Sequence, residues 1–378
     1  MSDTRQIAKI LLTGATGYVG GTVLDKLVRS TEPSIESLTI DVLVRTNGAA
    51  EALRKGYRNR VRPILWNGFT DIPFVTDTAT NYDMVINAGT GFAAEGATAL
   101  VRGLAGRTAP GLPVPWMIHT SGCSNLADRP LTRTAHPDRA WDDADGKAVF
   151  DFLEHEDAHD PYAQRTTEIS VLAAAEEAGV QAVSVNSPCV FGMGTGLFNL
   201  QSFTIPVFMS YVVKHGYGFK LNETANFDWV HIEDVAEVYV LLVRAILERE
   251  DHGLGYIPTG KHGIISTAVG RVLQTEMMQL CLDTAFDAGV LPREDTPDKK
   301  QINKVQLKEL ADEVMSGWVD IAERSWAGHK VMTGTKAKKL LGWNPTRLDE
   351  AWKQEYRDVL DALRKGISNK SVATSIGI

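Results

Sequence analysis

The chain has 378 residues, 44% hydrophobic and 23% charged, a composition that can build a real core as one large domain or two ordinary ones. Its formal net charge of -8 argues against general affinity for nucleic acid or anionic membrane, because both rest on clustered Lys and Arg. The three scattered cysteines, Cys123, Cys189 and Cys281, write neither a disulfide framework nor a Cys-x-x-Cys metal site and fit a reducing compartment.

The start, MSDTRQIAKILLTG, is too brief and wrongly flanked for a signal peptide. No apolar stretch approaches the roughly 20 residues of a membrane helix. The cytoplasm is therefore the expected location. IAKILLTG reads as a buried strand, and YVGGTVLDKLVRS as a helix with Val19, Val23, Leu24, Leu27 and Val28 on one face. LTIDVLVRT is a second strand and AAEALRKGYR a second helix; VRPILW and YDMVINAG are the third and fourth strands. GATALVRGLAG is helical and VPWMIHTSG is a fifth strand. A long polar segment, 123–160, precedes the helix YAQRTTEISVLAAAEEAG and a sixth strand in VQAVSVNSP.

Strands alternating with helices predict an α/β fold with a parallel sheet covered on both faces. Right-handed crossovers give the doubly wound, Rossmann-like order 3-2-1-4-5-6. After Pro188 the pattern changes: 192–225 is rich in Gly, Phe and Asn, and FDWVHIEDVAEVYVLLVRAILERE leads a strand into a long helix. The expected organisation is a dinucleotide-binding domain over 1–190, to which 226–262 returns. A smaller, mixed C-terminal substrate domain covers 191–225 and 263–366, and 367–378 is a loose tail. Gly192, Gly194 and Gly196 are expected to make their loop flexible. Phe198, Asn199, Phe203 and Trp229 are candidate pocket walls, each with core packing as its plainer explanation.

TGATGYVG, residues 13–20, lies between the first strand and the first helix. Such a loop must turn sharply and let its backbone approach a pyrophosphate, while the helix N-terminus offers free N–H groups. Gly14, Thr16, Gly17, Tyr18, Val19 and Gly20 are the expected contacts. Ligand is expected outside the carboxyl ends of the strands, where strands one and four diverge. At the end of the second strand stands Arg45, whereas Asp41 lies early in it; that favours NADP(H), with NAD as the alternative. Asn67 and Asp71, after the third strand, would lie near the adenine.

The spacing G-x-x-G-x-x-G resembles the short-chain dehydrogenase/reductase superfamily. Five further stretches extend the likeness in chain order: Asn87-Ala88-Gly89, HTSG ending at Gly122, SPCVFG with Pro188, WVHIEDVAE, and KKLLGWNP. The last three resemble the extended, epimerase/dehydratase-like branch, and GTGLFNLQS is similar to fungal proteins of that type. The resemblance implies that Asn87, Ala88, Gly89 and Pro188 join the cofactor site, that Tyr162 is the acid/base, and that Ser121 orients the substrate oxygen. It also implies a homodimer as one arrangement, with 94–105 and 162–179 as its interface.

One feature departs from the family. The lysine expected four residues after the tyrosine is Thr166, and Arg165 stands one residue early. A cation beside the phenol favours the phenolate, which starts from a pKa near 10. Arg165 is the candidate replacement, unless it pairs with Glu168 on the helix surface. Ser121 is equally readable as a strand-end cap; His119 could join the site but reads more readily as a satisfied strand histidine, and His231 reads more readily as a structural residue.

Upstream, His155, Glu156 and His159 spell H-E-x-x-H, a zinc-protease signature. No adjoining motif supplies a third ligand, and Asp160-Pro161 reads as the start of a new helix, so no metal is expected. Three outcomes stay open: an NADP(H)-dependent oxidoreductase or epimerase-like enzyme acting on a small hydroxyl or carbonyl compound, a non-redox isomerase or lyase on the same scaffold, or a dinucleotide-binding sensor. For the last, atypical superfamily members related to the nitrogen-metabolite repressor are the precedent.

Overall fold

A computed structural model of the protein describes residues 7, 9–107, 111–249, 253, 255–291 and 301–367. The tail expected over 367–378 therefore lies, beyond its first residue, outside the described residues. In chain order the first half runs β1 (Ile10–Thr13), α1 (Tyr18–Arg29), β2 (Ile40–Val44), α2 (Asn47–Tyr57), β3 (Val61–Leu65), α3 (Ile72–Ala79), β4 (Met84–Asn87), α4 (Ala94–Ala105) and β5 (Trp116–Gly122). It continues with β6 (Ala140–Asp142), α5 (Gly146–His159), α6 (Ala163–Ala178), β7 (Gln181–Ser187) and β8 (Cys189–Phe191). Then come α7 (Thr204–His215), β9 (Gly218–Lys220), β10 (Asn226–His231), α8 (Ile232–Leu247), β11 (Ile264–Ser266), β12 (Gly270–Leu273) and α9 (Gln274–Asp287). The last elements are β13 (Ile302–Lys304), α10 (Leu307–Val314), α11 (Val319–Trp326), β14 (Val331–Thr333), α12 (Lys336–Leu341) and α13 (Asp349–Arg364).

Every residue of β1, β2 and β4 is buried. Such fully buried, mostly apolar strands belong in the middle of a parallel sheet. The sheet has seven strands in the order β11-β7-β5-β4-β1-β2-β3, all paired in parallel. Its first six in chain order follow the expected doubly wound arrangement. The seventh, β11, lies beyond the expected seam at 262, so the chain returns to the sheet later than the sequence indicated. One apolar core joins the sheet to α1, α2 and α8. Another covers the opposite face with α3, α4, α5 and α6. A third gathers α7, α9, α11 and α13 around β8, β10 and β12. There Trp229 stacks on Trp352 at 5.2 Å, so Trp229 is core and not an open pocket wall. Among the described residues no helix is long and apolar enough to cross a membrane.

The segment 123–160 is more ordered than its polarity suggested. It holds β6, which pairs with β14, and α5, which buries Val149, Phe150 and Leu153. Asp160 does not cap the next helix. It ends α5 and meets Arg129 and Arg324, while Asp157 accepts the Tyr162 N–H at 3.0 Å.

Candidate active site and dinucleotide groove

Gly14 has φ +81°, and a Cβ there would overlap the Ala88 carbonyl. Gly20 is equally constrained: a Cβ would overlap the Gly14 carbonyl and crowd Ala88. The loop therefore lies flat against Ala88 and Gly89 at the end of β4. Gly17 caps α1 without a side-chain hydrogen bond, and no acidic residue occupies the first turn. The N–H groups at that end stay available to an anion, and the positive end of the helix dipole faces it. These residues fit a dinucleotide pyrophosphate. Thr13 donates to Asn87 Oδ1 at 2.7 Å, and Asn87 Nδ2 lies 3.0 Å from His119 Nδ1, so Asn87 ties β1, β4 and β5 together under the loop. Burial lowers His119 to about 4, keeping the ring neutral; it is part of this tie.

At the adenine end, Asp41 is committed elsewhere. It holds Arg62 at 2.7 Å and accepts from the Tyr82 hydroxyl at 2.7 Å. Arg45 is exposed at the end of β2 and has no hydrogen-bond or ion-pair partner among the described residues. Thr46 caps α2 beside it. Asn67 is exposed and donates to Asp71, which caps α3. The segment after β4 runs from the glycine loop toward Phe92, whose ring meets Tyr162 edge-on at 6.0 Å. The phosphate end of the groove and the tyrosine are thus joined by residues 88–92.

Tyr162 is 3% exposed and sits just before α6. Its hydroxyl donates to Ser124 Oγ at 3.2 Å. Ser124 in turn donates to Gln164 Oε1. Gly122 leaves room for that amide, since a Cβ there would lie 2.9 Å from Gln164 Nε2. Burial pushes the phenol up to about 12, against the lowering effects of the Ser124 hydrogen bond and the Arg324 charge. The hydroxyl is therefore protonated at neutral pH. Arg324 of α11 lays its guanidinium over the ring, 4.6 Å from the centroid.

The serine expected here was Ser121, yet Ser124 meets the tyrosine. Ser121 Oγ accepts from Asn125 Nδ2 at 2.9 Å, within a network around the fully buried Glu168. Glu168 accepts from Asn125 at 2.5 Å and from Ser184 at 2.5 Å. Burial raises the Glu168 carboxyl, opposed by hydrogen bonds from Ser184, Asn125, Ser121 and Asn186. Glu168 thus pairs with none of the helix-surface cations, Arg165 included. Arg165 is 1% exposed, donates to the Asn125 carbonyl at 2.8 Å and so braces the turn carrying Ser124 instead of reaching the phenol. Thr166, at the position of the absent lysine, donates to Asp157 at 2.8 Å. His155 and His159 are exposed, with ring centroids 4.5 Å apart. Among the described residues no group of three or more His, Cys, Asp or Glu side chains could hold a metal ion.

The loop after β8 is packed, not loose. Gly192 has φ +93° against the His231 ring, and the Tyr18 hydroxyl donates to its carbonyl at 2.6 Å. Gly194 faces Thr22 and Tyr18, and a Cβ on Gly196 would come within 2.8 Å of Gly21. His231 caps α8 by accepting from Glu233 N at 3.1 Å, the structural role open to it. Pro188 is buried between β7 and β8. Phe198 packs on the first core and Phe203 on the third.

From α13, Glu355 accepts from Ser202 Oγ at 3.1 Å and from the Gly192 N–H. Burial pushes its carboxyl up from 4.5 to about 7, against those hydrogen bonds. A carboxyl raised in the folded state favours the protonated form. Its contribution is complete below pH 4.5 and disappears as pH rises through about 7. Glu355→Gln should therefore flatten stability between those two pH values and leave the protein more stable than the parent at pH 8. Urea unfolding at stepped pH checks this; parallel stability–pH curves for the two proteins would refute it.

Residues 146–254, which include Tyr162 but not the glycine loop, match the model of the NAD dependent epimerase/dehydratase family. The chain is 24% identical over 349 residues to the oxidase ucsJ of Acremonium sp., covering 89% of this chain and 92% of that protein. Among solved structures, a dTDP-glucose 4,6-dehydratase double mutant of Streptomyces venezuelae with NAD bound is similar at TM-score 0.60 and 14% identity, covering 95% of this chain and 98% of that one. Vestitone reductase of alfalfa is similar at TM-score 0.56 and 14% identity, covering 95% and 99%. Over residues 146–254 the chain carries a domain of the NAD dependent epimerase/dehydratase family, set within a Rossmann-like fold.

Proposed function

We propose that the chain is an NADP(H)-dependent oxidoreductase of a small hydroxyl or carbonyl compound, with Tyr162 as proton donor and Ser124 orienting the substrate oxygen. The observation that carries this is the Tyr162–Ser124 hydrogen bond of 3.2 Å, next to the segment that starts at the glycine loop. The dinucleotide supplies the hydride when bound. The chain's part is the proton. A phenol held near 12 is protonated at neutral pH and gives its proton to an oxygen that is gaining negative charge. Carbonyl reduction is the direction this favours. Ser124 then holds the oxygen within hydrogen-bond reach of the phenol, and Gln164 holds Ser124.

Deuterium transfer from 4-deuterated NADPH across a panel of small carbonyl compounds tests the proposal. Label on the product carbon is expected. Product without label would point to an isomerase or lyase, and NADPH binding with no product to a sensor. That second reading is favoured by one feature: Thr166 is tied to Asp157, and no cation stands in the lysine's place on α6.

The preference for NADP(H) rests on Arg45, exposed and unpaired beside the start of α2. Arg45→Ala should weaken NADPH roughly tenfold, the scale of one charge-assisted hydrogen bond, and leave NADH unchanged. Titration calorimetry with both cofactors checks it; equal losses for the two would assign Arg45 no part in the choice. The proposed assembly is a homodimer through α4 and α6, which pack side by side on one face of the sheet.

A further inference from the structure

We propose that Arg324 is a positioning residue for Tyr162, supplied from the C-terminal part of the chain. The inference rests on the reading of Tyr162 as proton donor. Three observations lead to it. The guanidinium lies 4.6 Å above the phenol ring centroid and is 1% exposed, so solvent does not screen it from the ring. It is held rigidly: Nη2 donates to Asp160 Oδ2 at 2.5 Å, Nε to Asp320 Oδ1 at 3.2 Å, and Nη1 to the Ala127 carbonyl at 3.2 Å. The neighbouring Glu323 then clamps α11 onto the segment after β5. It accepts from the backbone N–H of Leu131 at 2.8 Å, that of Thr132 at 2.9 Å, and the Thr132 hydroxyl at 2.6 Å.

A planar cation on the ring face does two things. It fixes the ring plane, so the hydroxyl stays on Ser124. It also stabilises the phenolate left after proton donation, a charge that burial otherwise opposes. Asp160 and Asp320 reduce that effect without cancelling it, because the ring is in direct contact with the cation and neither carboxylate hydrogen-bonds the hydroxyl. The charged or titratable groups facing the phenol are Arg324, Asp320 and Cys123, with Asp157 on its backbone N–H.

The test uses the full chain labelled with 3-fluorotyrosine. The Tyr162 fluorine line is identified by its loss in Tyr162→Phe, and its titration midpoint is followed in Arg324→Met and Arg324→Lys. Arg324→Met should raise the midpoint by about one unit, tenfold in the ionisation constant, and Arg324→Lys should recover most of it. Arg324→Met leaves the Asp160 carboxylate without one of its partners. If that variant does not fold, Arg324→Met with Asp160→Asn is used in its place. An unmoved midpoint in a folded variant overturns the proposal. If the midpoint moves while Tyr162→Phe leaves turnover intact, Arg324 still positions the phenol and the proton-donor reading is what fails.

Discussion

Replacing Tyr162 by Phe should reduce NADPH-dependent turnover about 10²- to 10⁴-fold, the usual contribution of a positioned general acid. Dinucleotide affinity should stay within about twofold, because the groups proposed to hold the pyrophosphate are the backbone of the glycine loop and the end of α1. The substitution keeps the ring, and with it the Arg324 contact at 4.6 Å and the Phe92 contact at 6.0 Å. Only the hydroxyl and its bond to Ser124 are lost, about 1 kcal/mol of stability. Steady-state rates and NADPH calorimetry on the same preparation separate the two effects. Turnover within a few-fold of the parent would remove Tyr162 from the chemistry. Ser124→Ala should follow Tyr162→Phe in direction, while the rate effect of Ser121→Ala should be smaller, since Ser121 acts only through Asn125 and Glu168.

What the sequence made legible was whatever is enforced locally. The glycine loop could be read because its turn and the start of its helix lie within one strand–turn–helix unit, where Gly14 takes the positive φ that such a turn requires, whereas its close contact with Ala88 and Gly89 is long-range. The strand order could be read because parallel strands joined by right-handed helical crossovers permit few arrangements. Helix α5 escaped because its buried residues, Val149, Phe150 and Leu153, are scattered among charged ones. β11 escaped because three residues are too few to show a period.

The candidate site was half legible, for a similar reason. Tyr162 and the turn after β5 follow from the resemblance, but the hydroxyl that meets the phenol is that of Ser124 and not of Ser121. Alternation tells which way Ser121 faces inside a strand. It says nothing once the chain leaves the strand for the short 3₁₀ turn Cys123–Leu126, where Ser124 swings toward the phenol. Arg165 was plausible by helical geometry, yet the Asn125 carbonyl takes it. Arg324 had no signal at all. It arrives through tertiary packing of α11 on the segment after β5, and no local pattern announces such a contact.

Replacing Gly14 by Ala should abolish measurable dinucleotide binding and destabilise the fold by several kcal/mol. Two effects add. At φ +81° an L side chain costs about 1–2 kcal/mol by itself. The added methyl would also overlap the Ala88 carbonyl and crowd the Gly89 Cα at 2.7 Å, and backbone cannot rotate away as a side chain can. The loop must then lift off β4, carrying the end of α1 with it, and the N–H groups lose their common focus. Gly48→Ala is the matched control. Gly48 lies in the first turn of α2 at an ordinary φ, and a methyl there meets nothing within 4 Å. That change should leave NADPH affinity unchanged and stability equal or slightly higher, because alanine loses less backbone freedom in a helix. Thermal unfolding and NADPH calorimetry on both variants decide it. Binding in Gly14→Ala within tenfold of the parent would mean that the pyrophosphate is not held at this loop.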